Sequence, residues 1–415
     1  MTRVGVRVGI AAVAAFGWLT AGSRAAGAQS NLREVMARAL QENPDVRLAR
    51  LGVDAAAAER RIARAVPNPI LSAIPNAPYQ YNASVPLDIG PDRLFRTRAA
   101  GQGARAARLD LDNVERQIRY VVRQGFYDLL LADALLRTAA DKRNTFRQLL
   151  EADSVRVRVG DAPARNLVKS ELELARSEAD LTRAEADVKA ARIAIQLLMG
   201  VPSPDTGFTI RGDLSYRDLG PLDAPTMPAD RPDVAAAQAR VGQARSARSL
   251  IAAELLPTPT MTLTYQPDGG FSTREIWTLG SSGRFSLGVE LQLPLLNWNG
   301  GQRARAAIQV ESAITQEQRA RVQVEAEVVL ARDQYRATST LASRYQSGLL
   351  ARARTALDQA RYAYQAGATS LLDVLEAIRT YGDTQVSAAQ ACHDYWVSVA
   401  ALSAAIGTDV RYDDD

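Results

Sequence analysis

The chain has 415 residues, 47% hydrophobic and 23% charged, with 50 Lys and Arg against 46 Asp and Glu, one histidine and one cysteine. The lone Cys392 excludes an intramolecular disulfide framework, and Cys392-His393-Asp394 is short of a metal site because adjacent helical positions diverge and no second histidine exists. Basic residues are interleaved with acidic ones along helical stretches, which argues against a nucleic-acid partner, and no Ser-His-Asp set, phosphate loop or metal-hydrolase motif points to an enzyme or a cofactor.

From the beginning, Arg3 and Arg7 form a positive region, Ile10 to Ala21 an apolar one, and Ala26-Gly27-Ala28 a small-residue cleavage site before Gln29. Residues 1–28 therefore read as a secretory leader. An N-terminal membrane anchor is the other reading, but the apolar run is too short to span a bilayer. No cysteine follows the cleavage site to accept a lipid. Losing Arg3, Arg7 and Arg24 with the leader lowers the formal charge from +4 to +1. Beyond the leader no run of about 18 apolar residues occurs, so if this exported chain enters a membrane it does so as β-strands.

The remainder is written twice. Asn43-Pro44-Asp45-Val46 opens a helical segment ending at Pro67-Asn68-Pro69, and Arg231-Pro232-Asp233-Val234 opens another ending at Pro257-Thr258-Pro259. Val157-Arg158-Val159-Gly160 likewise corresponds to Tyr364-Gln365-Ala366-Gly367. These marks predict repeat one over 29–200, an irregular Pro-, Gly- and Asp-rich connector over 201–230, and repeat two over 231–415. Each repeat reads helix, strand, strand, very long helix, tight turn, helix.

The strands fall near 69–90 and 258–293. Tyr81, Ala83, Val85, Leu87 and Ile89 alternate with Gln80, Asn82, Ser84 and Asp88; Ile70 to Ile74 is a shorter strand. Met261, Leu263 and Tyr265 alternate with threonines, and Phe285, Leu287, Val289, Leu291 and Leu293 with Ser286, Gly288, Glu290 and Gln292. A period of two with one apolar face fits either a half-buried soluble sheet or a transmembrane barrel strand. Four strands cannot close a barrel, so the membrane reading requires several chains in one wall.

Good helix formers without proline run from about Leu94 to Arg158 and from about Arg303 to Gln365, each predicting a helix of roughly 90 to 100 Å. Leu111, Val114, Ile118, Val121, Phe126, Leu129 and Leu136 make an apolar stripe suited to coiled-coil-like packing.

Three stretches resemble the TolC family of outer-membrane efflux proteins: RPDVAAAQARVGQARSARSLIAAELLPTPTMTLTY from Arg231, FSLGVELQLPLLNWNGGQRARAAIQ from Phe285, and YQAGATSLLDVLEA from Tyr364. SVPLDIGPDR, from Ser84, is similar to the CzcC- and CusC-like heavy-metal branch. The likeness implies a mainly α protein with a membrane β-barrel. Three protomers close a twelve-stranded barrel in outer-membrane lipid and continue it as an α-helical tunnel across the periplasm of a Gram-negative-type cell. The homotrimer would be the exit duct of a tripartite efflux or secretion system, meeting a periplasmic adaptor and an inner-membrane pump, without enzymatic activity or cofactor.

The resemblance also assigns residues. Asp373 and Glu376, three apart on one helix face, match acidic positions lining the periplasmic gate, although carboxylates there also suit a helix start. Tyr364 matches a tyrosine that holds the tip closed, but the arginine usual five residues on is Thr369. Thr cannot replace a guanidinium fork, so ordinary packing is the other role for Tyr364. Gly160 and Gly367 punctuate the two tip turns where adaptor hairpins dock. A periplasmic coiled-coil adaptor is the competing class, but it has one helical hairpin flanked by mixed β-domains, whereas this chain has two hairpins and four barrel-like strands.

Overall fold

The computed structural model describes residues 30–75, 79–220, 231–267, 278–282, 284–294 and 298–408. The leader 1–28, the cleavage residue Gln29 and the connector's second part, 221–230, lie outside these described residues.

Helix α1 (Leu32–Glu42) starts on a reciprocal capping box between Asn31 and Glu34. The sequence reading did not anticipate it. Helix α2 (Pro44–Arg64) follows at once, with the Asn43 side chain accepting from the Asp45 amide at 2.8 Å and Pro44 at the first helical position, where a missing N–H does no harm. Strands β1 (Ile70–Ile74) and β2 (Gln80–Pro86) lead to helix α3 (Pro91–Arg158), whose 68 residues extend about 100 Å. Helix α4 (Ala164–Leu198) returns alongside it.

The second half repeats this order. Helix α5 (Pro232–Ala253), strands β3 (Thr260–Tyr265), β4 (Thr278–Ser282) and β5 (Phe285–Glu290), helices α6 (Gly300–Arg344) and α7 (Leu350–Gln365), and helix α8 (Leu371–Ile406) follow one another. Two predictions are corrected. The long second helix is not continuous: a π-turn over Tyr345–Leu349 separates α6 from α7, with Gly348 at φ 128°, outside the helical range. Among the described residues the sheet has five strands, ordered β1-β2-β3-β5-β4, because β4 folds back on the outer edge of β5 along Phe285–Gly288.

The antiparallel register sorts the sheet into two faces. One carries the rows Tyr81, Tyr265, Phe285; Ala83, Leu263, Leu287; and Val85, Met261, Val289. The other carries Asn82, Thr264, Ser286 and Ser84, Thr262, Gly288, with the Ser84 and Thr262 hydroxyls 3.2 Å apart. Aromatic rings line the end of the apolar face, Tyr265 standing 4.8 Å from Phe285 and 6.3 Å from Tyr81. Below the sheet, α2, α3, α5 and α6 lie side by side in the order of β1, β2, β3 and β5, so each of these strands continues into its own helix.

Halfway down, paired helix ends are stitched together. The Asn43 amide donates to the Leu198 carbonyl at 2.9 Å, holding the end of α4 under the start of α2; a Cβ on Gly200 would come within 2.4 Å of the Glu42 carbonyl oxygen. Arg231 does the corresponding work in the second half. Its guanidinium, 2% exposed, reaches Asp233 at 2.6 Å, Glu327 at 2.7 Å and the Ala405 carbonyl at 3.1 Å, while Arg116 donates to the Ala404 carbonyl at 2.6 Å. These contacts give the orphan carbonyls at the end of α8 donors they would otherwise lack. The first part of the connector is irregular but pinned: Tyr395, Trp396 and Tyr335 donate to the carbonyls of Arg217, Ser215 and Gly220 at 2.6, 2.9 and 2.7 Å. Around this belt sits the larger core, including Val122, Leu129, Ile195, Val328 and Leu402.

Candidate functional site

At the end away from the sheet, α3 and α4 form one hairpin and α7 and α8 another. Both turns need a left-handed residue, which glycine supplies without a Cβ clash: Gly160 has φ 81° and Gly367 has φ 73°. Neither would bring a Cβ within 4 Å of a neighbour, so the turns project into open space.

A smaller apolar core, including Phe146, Leu149, Leu357, Val374 and Ile378, packs the hairpins together. Within it lies a polar cluster that the sequence reading found only in part. Asp153 is fully buried, and its carboxylate accepts from the Tyr364 hydroxyl at 2.5 Å and from the Ser170 hydroxyl. The Arg156 guanidinium stands 4.7 Å above the Tyr364 ring, donates to the Tyr364 carbonyl at 3.1 Å and pairs with Asp161 at 2.9 Å. Burial, then the hydrogen bond to Asp153, pushes the Tyr364 hydroxyl up to about 12, so it remains a donor at physiological pH.

Further ties cross the same seam. Arg379 on α8 pairs with Glu173 on α4 at 2.6 Å, and Arg361 on α7 donates to the Thr145 hydroxyl on α3 at 2.9 Å. Between α3 and α7–α8 a groove of about 160 Å³ remains, lined by Thr145, Gln148, Arg361, Tyr364 and Ile378 among others.

The predicted residues separate into three positions. Tyr364 is at the seam, bonded rather than merely packed. Its guanidinium neighbour is Arg156 from the other hairpin, and Thr369 instead donates to Asp373 at 2.5 Å. Asp373 is exposed and belongs to the capping box of α8, accepting from the Ser370 amide at 3.0 Å and the Ser370 hydroxyl at 2.8 Å; hydrogen bonds from Thr369 and Ser370 hold its carboxyl below the usual range. Glu376 is exposed one turn further along the same face. Gly160 and Gly367 are at the outermost turns. Asp153, Arg156 and Ser170 escaped the sequence reading, although Asp153 follows Phe146 and Leu149 on one helical stripe, where a carboxylate implies a buried partner.

His393 is held between carboxylates elsewhere in the helical wall. Its Nε2 is 2.7 Å from Asp128 on α3 and its Nδ1 2.9 Å from Asp394. Burial opposes the charged ring, but the hydrogen bonds and attraction of Asp128 and Asp394 outweigh it and raise the pKa.

A sequence model of the family described as "Outer membrane efflux protein" matches residues 35–201 and 227–408. The cobalt-zinc-cadmium resistance protein CzcC of Cupriavidus metallidurans is 24% identical over 333 residues, 77% of this chain and 76% of that protein. Nodulation protein T of Rhizobium leguminosarum bv. trifolii is 30% identical over 194 residues, 44% of this chain and 40% of that protein. Among solved structures, CusC superposes with a TM-score of 0.77 at 21% identity, covering 91% of this chain and 92% of that one. The CmeC outer membrane channel of Campylobacter jejuni gives 0.77 at 18% identity, covering 91% and 85%. VceC of Vibrio cholerae gives 0.75 at 20% identity, covering 91% and 96%.

Proposed function

The chain belongs to the outer membrane efflux protein family, and on that premise we propose that three copies assemble into one exit duct through the outer membrane. It is a transport channel rather than an enzyme. Each copy contributes β1, β2, β3 and β5 to a common wall, with the apolar rows toward lipid and the hydroxyl-bearing rows toward a water-filled lumen. The helices continue that wall into the periplasm. Export would follow removal of the leader at Ala28, leaving Gln29 as the N-terminus, which N-terminal sequencing checks.

The observation that carries this reading is the unfinished edge. Leu48 and Ile62 on α2, and Ile308, Val322 and Leu330 on α6, are exposed on the two helices that end the α2-α3-α5-α6 layer. Burying each such side chain contributes about 1.5–3 kcal/mol, so neighbouring copies are the natural cover. Closing the wall then requires β4 to leave the outer edge of β5, where the next copy's β1 joins.

At the far end, Gly160 and Gly367 present the turns to a periplasmic adaptor, through which an inner-membrane pump delivers cargo. The Tyr364–Asp153 tie holds the two hairpins together, so separating them opens the tip. Asp373 and Glu376 give each copy two exposed carboxylates beside that opening, which with the likeness to a cobalt-zinc-cadmium resistance protein supports divalent cations as cargo. Recording from purified protein in planar bilayers tests the duct: discrete ion-conducting steps are expected, and protein that neither fractionates with the outer membrane nor conducts would overturn it.

A further inference from the structure

Two grooves just below the sheet are lined by arginine without a carboxylate. Between α2 and α3, Arg60, Arg61, Arg64 and Arg108 surround a floor that includes Val53 and Ala57, enclosing about 220 Å³. Between α5 and α6, Arg248 and Arg303 face each other across about 460 Å³. Among the described residues none of these six arginines is within ion-pair distance of a carboxylate, whereas Arg93 and Arg96, at the start of α3, are held by Asp88 and Asp92. Aligning Asn43-Pro44-Asp45 with Arg231-Pro232-Asp233 sets Arg60 opposite Arg248, so both repeats carry the feature.

Helix direction does not explain it. Arg61 and Arg64 close α2, where the dipole favours a cation, but Arg303 is in the first turn of α6, where the dipole opposes one. The Arg96 side chain donates to the Ala63 carbonyl at 3.0 Å, tying the start of α3 to the end of α2 at one level. Arg61, Arg64 and Arg303 therefore gather at a height shared by helix ends of both polarities, with Arg60 and Arg248 about a turn or two below, while Arg108 lies about 18 Å further along α3 than Arg96, at the foot of its groove. Directly above that height the apolar face of the sheet begins.

We propose that these grooves form a collar that binds the phosphate head groups of anionic phospholipids in the periplasmic leaflet. The proposal rests on the sheet being the membrane-spanning wall. Guanidinium groups match phosphate oxygens in a bidentate fork, and their long stems let the charge sit at the head-group level beneath an apolar wall. Two grooves per copy would fix the depth at which the trimer sits.

The test uses the assembled protein in nanodiscs of phosphatidylcholine with or without phosphatidylglycerol, read by thermal unfolding and by native mass spectrometry of retained lipid. Phosphatidylglycerol should raise the melting temperature of the wild type. Retention should fall about tenfold in the triple change Arg60→Gln, Arg61→Gln, Arg64→Gln and in the pair Arg248→Gln, Arg303→Gln, with stability in pure phosphatidylcholine unchanged. If a variant unfolds, the lysine versions, which keep charge but lose the fork, should retain lipid to an intermediate degree. Variants that keep the full preference overturn the collar. So does equal stabilisation by soluble glycerol phosphate, which would mean a site for dissolved anions. Protein that inserts but shows no preference for phosphatidylglycerol sinks the collar alone; protein that enters no disc sinks the membrane reading beneath it.

Discussion

Tyr364→Phe removes one hydroxyl and keeps the ring under Arg156, so it isolates the tie to Asp153. That carboxylate is 0% exposed and, among the described residues, keeps the Ser170 hydroxyl as its one side-chain donor after the change. A hydrogen bond to a charged group contributes about 1.5–3 kcal/mol, and about 1.4 kcal/mol is a factor of ten in an equilibrium. If the tie breaks when the hairpins part, the closed state of each tip loses roughly 10- to 100-fold of its advantage, and concerted opening multiplies this over three copies. Single-channel recording should then show a raised open probability, with thermal unfolding followed in parallel on the same preparation. A correctly assembled variant that melts earlier yet opens no more often than the wild type would refute the gating role and leave Tyr364 as a packing residue.

Replacing Asp373 with Asn and Glu376 with Gln should weaken cation selectivity and block by multivalent cations without affecting assembly; unchanged selectivity would leave Asp373 as a helix cap only. Arg231→Ala strands Asp233 and Glu327 and uncaps α8, and should lower stability by about 3 kcal/mol, the low end for a broken buried pair because Glu327 is partly solvated; calorimetry showing no change would contradict this. The His393 pKa is raised on folding, so its contribution is complete below the unfolded value of about 6.5 and fades as pH rises through the folded value. The stability gap between wild type and His393→Asn should therefore narrow from pH 6 to pH 9, and a gap that widens would overturn the assignment.

Much of the fold is legible because its determinants are periodic or local. The alternation from Phe285 fixes which face of β5 is apolar, and the glycines at 160 and 367 mark the tip turns because each requires φ above zero. Local signals fail where a distant partner decides. Asp153 continues the Phe146 and Leu149 stripe, which implies a buried partner, but only the packed hairpins show that partner to be Tyr364, 211 positions away. Gly348 sits in an Ala-rich helical run, where one glycine lowers propensity by only about 1 kcal/mol, and nothing nearby announces a π-turn. Strand β4, TLGSS, lacks an alternating apolar pattern and is a strand through edge pairing with β5. Thr369 marks the absent family arginine in the sequence, yet only the packed hairpins reveal Arg156 over the Tyr364 ring.

A shared wall follows most directly from the unfinished edges of each copy. Single-particle imaging of detergent-extracted protein should show a threefold particle in which β1 of one copy pairs with β5 of the next, β4 has left that edge, and the helices form one continuous tunnel. A particle with a single copy, or one in which β4 remains on β5 and the sheet stays open, would contradict it.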